Sequence, residues 1–307
     1  MVAHPGEDLL MKGVSIVLTL AVAAVQPAAC DELDLLPIGN PELATSMASA
    51  LPGSFFDCQK NLPLELEELA AELARSRVVL LGEAHTDLQQ KQFHADLLAA
   101  MAEIKPQLVL GMEFFQRSDD GALDSWSRGD TDENGLLEAA GWYERGTYNF
   151  GYYRPVMDVA RRRGIRVVGL NVPRELVRAV NRGGLDGLDD AQKAEIGEVA
   201  TDGSPDHRYL IARYFGETVA MLPPGWFDNM YAAQCVWDVV MARSILANLG
   251  DGDTMVVIVG SGHVAYDLGI ARRNCDEVAV PDRGDVTVAT FCTVTAPPPD
   301  PDDDPHG

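Results

Sequence analysis

At 307 residues, with 47% hydrophobic residues and a formal net charge of −23, the chain is long enough to bury one large core. The acidic balance argues against nucleic acid as a partner, because binding a phosphate backbone needs a basic face. No CxxC, CxxCH or HExxH spacing occurs, so nothing supports dithiol redox chemistry, a zinc ribbon, covalent c-type haem or a helix-borne zinc-protease site.

Residues 1–30 read as a targeting segment. Lys12 precedes an apolar run from Val14 to Val25, and the small residues Ala28 and Ala29 precede Cys30. The run is too short to span a bilayer comfortably, which fits a signal-peptide h-region with translation starting at Met11. Cys30 resembles the lipid-attachment cysteine of bacterial lipoproteins, with Pro27 where the lipobox has an aliphatic residue; plain signal-peptidase cleavage is the alternative. The expectation is an exported protein, membrane-anchored through a lipidated Cys30 and facing the periplasm or the cell surface. Of the cysteines that remain, Cys58, Cys235, Cys275 and Cys292, the favoured disulfide is Cys275 with Cys292; free buried thiols are the alternative. Residues 31–60 have the composition of a linker, 61–295 form the folded domain, and the acidic, proline-rich 296–307 is expected to be disordered.

Leu64 to Arg75 patterns as an amphipathic helix, with Leu66, Leu69, Ala70 and Leu73 on one face. Val78 to Leu81 is an unbroken apolar run, the pattern of a strand covered on both faces of a parallel sheet. Gly82 ends it, Glu83 and His85 follow at once, and Asp87 to Ile104 reads as a helix. Three later stretches repeat this grammar: Leu108 to Glu113 delivers Glu113, Ile165 to Asn171 delivers Asn171 ahead of Pro173, and Met255 to His263 delivers His263 between glycines and valine. Helices capped by Ser118 or Asp119 and by Asp132 lie between, followed by Trp142 to Pro155 with six aromatics, which either pack a core or stack on a flat ligand. No strand is predicted between Glu175 and Asn248, so about 175–250 is a helical subdomain, in which Tyr231, Gln234 and Asp238 share one helix face. Asp285 to Val294 reads as an edge strand.

The predicted fold class is therefore α/β, a mostly parallel sheet flanked by helices with a helical insertion before the last core strand. Ligands of open α/β sheets bind outside the carboxyl ends of the strands. Glu83, His85, Glu113 and His263 are expected in one pocket there, with Asn171 at its edge.

Gly-Glu-Ala-His85, Gly-Met-Glu-Phe114, Tyr-Arg-Pro155, Gly-Leu-Asn-Val-Pro-Arg-Glu175, Gln234 with Trp237-Asp238, and Gly-Ser-Gly-His-Val264, in that order, resemble the ChaN family of the Tiki superfamily. The resemblance spans about residues 70–280. It implies an α/β fold with a helical subdomain and, for the better-known members, haem binding at the outer surface of a dimer in iron acquisition. Tiki proteins are metal-dependent proteases with a similar Gly-x-x-His and Glu set, so two functions stay open.

The rim residues suit either. Glu83, His85, Glu113 and His263 could hold a divalent metal with open positions, one of Glu83 and Glu113 then serving as catalytic general base. Haem instead needs an axial ligand and flat apolar walls. His85, His263, Tyr148, Tyr152 and Tyr153 are candidates for the first, with Asn171, Gln234 and Asp238 contributing to the site. The expected function is a haem- or iron-binding lipoprotein of haem and iron acquisition, in the form of a homodimer; the alternative is a secreted metal-dependent hydrolase, a protease or an esterase.

Overall fold

The structure, a computed structural model, describes residues 14–19, 38, 55–57, 62–201, 204–216, 218–276 and 288–294. Its strands are β1 (Val14–Thr19), β2 (Phe55–Asp57), β3 (Leu62–Leu64), β4 (Val78–Glu83), β5 (Leu108–Gln116), β6 (Arg166–Asn171), β7 (Thr254–Gly260) and β8 (Val288–Val294). The helices are α1 (Leu66–Leu73), α2 (Leu88–Ile104), α3 (Asp120–Arg128), α4 (Glu133–Ala139), α5 (Arg154–Arg163), α6 (Arg174–Gly183), α7 (Asp190–Ile196), α8 (Pro205–Phe215), α9 (Thr218–Met221), α10 (Trp226–Asn248) and α11 (Ile270–Asp276).

Six strands form one sheet in the order β1-β8-β4-β7-β5-β6, every neighbouring pair parallel. β2 and β3 make a separate antiparallel ribbon. The apolar runs of β4 and β7 are buried throughout, yet they conceal a strict alternation. Val79 and Leu81 join one core with Leu97, Leu98, Val156 and Met157, whereas Val78 and Leu80 join another with Met241, Ile245 and Ile270. A strand turns successive side chains to opposite faces, so an unbroken hydrophobic run requires helices on both. Here α1, α2, α3 and α5 cover the first face, and α10 and α11 the second.

Strand order creates the crevice. β7 returns between β4 and β5, and neighbouring strands then send the chain to opposite faces: β4 to α2 and β5 to α3 on one side, β7 to α11 and β6 to α6 on the other. Carboxyl ends that diverge in this way leave an opening between them. A break in register deepens it, since Met112 pairs with Gly169 but Gln116 with Asn171. Gly169 permits this, because a Cβ there would collide with the Gln116 carbonyl. Such a bulge re-aims side chains at the strand end, and Glu113 is the first residue within it.

Among the described residues, the elements between β6 and β7 are helices, α6 to α10, as expected of the helical insertion. Two sequence expectations differ from the structure. The strand placed at Asp285 to Val294 is β8 and lies between β1 and β4 rather than at the edge. That edge belongs to Val14–Thr19, taken from the signal-peptide run, which pairs in parallel with β8; a short β-branched apolar run suits an h-region and a strand equally. Cys30, the rest of the segment expected to be a signal peptide, most of 31–60, the side chains of Cys275 and Cys292, and residues 296–307 lie outside the described residues. Cys235 is a buried free thiol.

Candidate functional site

At the carboxyl ends of β4 to β7 is a cavity of about 250 Å³, lined by His85, Glu113, Phe114, Gln116, Arg145, Thr147, Tyr148, Asn171, Val172, Arg174, Trp237 and His263. Phe114, Tyr148 and Trp237 form its flat walls, while imidazoles, a carboxylate and two guanidinium groups supply its polarity. The His85 ring meets Phe114 edge-on, with centroids 4.8 Å apart, and lies 5.1 Å from Tyr148. Gly260 makes room for it: a Cβ there would sit 2.8 Å from His85 Cε1 and 3.0 Å from Nε2.

Beneath His85 is a buried ionic cluster centred on Glu83, which is 2% exposed. Glu83 Oε1 accepts from His85 Nδ1 and from Tyr153 Oη, both at 3.2 Å, and forms an ion pair with Lys91. His94 Nδ1 approaches Oε2 at 3.5 Å. Burial pushes the Glu83 pKa upward, but the hydrogen bonds from His85 and His94 and the charge of Lys91 outweigh it and hold the carboxyl well below its usual range. Burial likewise lowers the Lys91 pKa, against the pull of Glu83, and raises that of the Tyr153 phenol, which faces the carboxylates of Glu83 and Glu113. Glu83 is therefore an anion held by neighbours. An anion at Nδ1 keeps the proton there and leaves Nε2 of His85 as the free ligand nitrogen.

A second network runs from the opposite wall. Glu113 Oε2 accepts the Gly260 amide at 2.7 Å, and its Oε1 is 3.7 Å from His263 Nε2. His263 Nδ1 donates to Asp238 Oδ1 at 2.6 Å, with the Gln234 amide 2.9 Å from the same nitrogen. Asp238 is fully buried and its other oxygen lies 3.4 Å from His207 Nε2, while His207 Nδ1 is 3.3 Å from Tyr231 Oη. Burial lowers the His263 pKa, but Glu113 and Asp238 on either side of the ring more than reverse this and raise it. For His207 burial dominates and the pKa falls. Asn171 closes the edge, donating to the Glu113 carbonyl at 3.2 Å.

A family model described as haem-binding uptake, Tiki superfamily, ChaN matches residues 69–273. The chain belongs to that family. Among solved structures, ChaN of Campylobacter jejuni, described with cofacial heme binding, shares 15% identity and a TM-score of 0.63, covering 80% of this chain and 92% of its own. That likeness bears on the fold. The type III effector HopBA1 (16% identity, 64% of this chain and 72% of that one, TM-score 0.35) and the RRSP effector domain from Vibrio vulnificus (16%, 65% and 30%, 0.37) are too distant in shape to bear on anything. No curated protein matches the chain.

Within this member of the ChaN family, the expected pocket is assembled in part. His85, Glu113, Asn171 and His263 line the cavity, but Glu83 does not. It is enclosed by Lys91, His94, Tyr153 and His85, so of the four metal-ligand candidates three face the cavity and Glu83 lies behind His85. Among the described residues no group of three or more His, Cys, Asp or Glu side chains is arranged to hold a metal ion. Tyr153 is fully buried and bound to Glu83, so it holds that carboxylate instead of facing a ligand. Gln234 and Asp238 act behind the His263 ring rather than in the cavity.

Lys91, His94, Arg145 and Arg174 were missed. The first two had a signal: Gln90, Lys91 and His94 continue the buried stripe of Leu97, Leu98 and Met101 toward the start of α2, and polar residues in a buried stripe need partners. Among the described residues no helix is long and apolar enough to cross a membrane.

Proposed function

We propose that the chain is an exported, lipid-anchored haem-binding protein of haem and iron uptake, and that His85 and Tyr148 face the iron at the carboxyl-end cavity. The observation that carries this reading is the pairing of a family match to haem-binding uptake proteins with a cavity whose accessible donors are an imidazole and a phenol on one aromatic wall. Tyr148 is 38% exposed and the His85 side chain 28%, so both can reach a ligand. His263 is less suited, because its two nitrogens face Asp238 and Glu113.

The residues fit the group on one side only. Pockets that enclose drug-sized ligands start at roughly 300 Å³, and this cavity holds about 250 Å³. Phe114, Tyr148 and Trp237 would therefore cover one face of the macrocycle and leave the other open, in keeping with the cofacial heme binding described for the Campylobacter jejuni protein. Bound haem would supply an iron centre as cargo for uptake; the protein's part is to ligate it, shield one face and hold the His85 tautomer through Glu83. Lipidation of the Cys30 thiol would precede removal of the leader. Cleavage before Cys30 would also take away β1 and leave β8 as the sheet's edge.

Titration of the purified mature chain with haemin, followed by absorbance, tests this. A Soret shift saturating at a defined stoichiometry, altered in Tyr148→Phe or His85→Ala and intact in Tyr153→Phe, is the expected result. A non-saturating change common to all variants would overturn it. Mass spectrometry of the mature N-terminus tests the anchor, which an unmodified terminus other than Cys30 would exclude.

A further inference from the structure

Arg145 and Arg174 both line the cavity, yet they differ in how their charge is met. Arg145 is neutralised by Asp119 through two hydrogen bonds of 2.6 and 2.9 Å. Arg174, the first residue of α6, donates from Nη1 to the backbone carbonyls of Arg145 and Gly146, each at 2.9 Å. Among the described residues it makes no ion pair. A guanidinium carries five N–H donors in a rigid fork. With one arm fastened to two carbonyls, the Nε and Nη2 edge stays available, and that edge is the one that matches a carboxylate with two parallel bonds. In a chain whose net charge is −23, carboxylates to pair with it are plentiful, and none of the described ones is placed there.

We propose that Arg174 is a carboxylate-binding residue of this site, and that the ligand presents an acidic group to it from the edge of a flat ring. The inference rests on the haem reading, in which that group is a propionate. Neutralised Arg145 supplies no competing anchor and serves to position Arg174 through its carbonyl. Glu113 on the cavity wall repels a carboxylate and thereby orients the ligand with its acidic edge toward α6. The fixed arm removes much of the rotamer freedom that an arginine otherwise loses on binding, so the fork is preorganised.

The test compares haemin with haemin dimethyl ester, whose carboxylates are masked, on the full mature chain and on Arg174→Gln. Wild type should bind haemin about 10- to 100-fold more tightly than the ester, the range of one charge-assisted pair, and Arg174→Gln should lose that preference while binding the ester as wild type does. Equal affinity of wild type for the two ligands overturns the proposal. So does equal weakening of both in the variant, which would mark Arg174 as structural through its hold on the Arg145–Gly146 backbone. If Arg174→Gln does not fold, Arg174→Lys replaces it, since an ammonium keeps the charge and loses the fork; the preference for haemin over the ester should then shrink without vanishing, and an unchanged preference overturns the proposal. If wild type binds neither haemin nor the ester, the haem reading falls, and calorimetry with 2,6-naphthalenedicarboxylate decides the subsite alone: binding that Arg174→Gln abolishes supports it, and no binding by wild type overturns it.

Discussion

Lys91→Met removes the cation from the Glu83 cluster while keeping a long apolar side chain in its place. Lys91 and Glu83 are each 2% exposed, so the variant leaves a buried carboxylate without its cation. Removing one partner of a buried ion pair costs about 3–5 kcal/mol. His94 still faces the carboxylate, 3.5 Å from Oε2, which favours the lower end. For a domain of roughly 200 residues this corresponds to a fall in Tm of about 6–20 °C. The pH dependence follows from the same carboxyl. Glu83 has a folded pKa below its unfolded value, so its stabilisation is present above about pH 4.3 and is lost as pH falls through the folded value. The gap between wild type and variant should therefore narrow in acid. Thermal unfolding followed by circular dichroism, on Lys91→Met, Glu83→Gln and the double variant, measures this. The double variant buries a neutral amide without a cation, so it should be more stable than the sum of the single losses by about 2 kcal/mol, within the range of couplings between contacting residues. A Tm for Lys91→Met within about 2 °C of wild type, or strictly additive losses, would refute the view that Glu83 is an anion held by Lys91.

Gly260→Ala should displace the His85 ring, since the new Cβ falls 2.8 Å from Cε1; a loss of about 1–3 kcal/mol in stability, with weakened haemin binding by absorbance titration, is expected. Asp238→Asn should lower the His263 pKa, measured by NMR titration of the ring. Because the folded pKa of His263 is raised, its stabilisation is complete below about pH 6.5 and disappears as pH rises through the folded value, so the variant's deficit in Tm should be greatest in acid and shrink in alkali. Gly169→Ala should break the β5–β6 register shift by collision with the Gln116 carbonyl, and chemical denaturation should show a loss above about 3 kcal/mol, the overpacking penalty where backbone must move.

Local pattern was enough for the α/β class and for most of the rim. Four apolar runs ended in a glycine or a polar residue, and strand periodicity with a helix following places what comes next at a carboxyl end wherever the strand lies. His85, Glu113, Asn171 and His263 were legible for that reason. What each does was not. The bond from the Gly260 amide to Glu113 spans 147 positions, and that from Tyr153 to Glu83 spans 70; both exist because β7 returns between β4 and β5 and because α2 and α5 pack on the same face. Strand order is chosen by the packing of all the layers together, and no window of the sequence contains it. The same holds for the separation of Glu83 from the other three metal-ligand candidates. Glu83 and Glu113 both follow apolar strands, but Glu83 is pointed into the layer of α2, where Lys91 and His94 wait, whereas the bulge opposite Gly169 turns Glu113 toward the cavity.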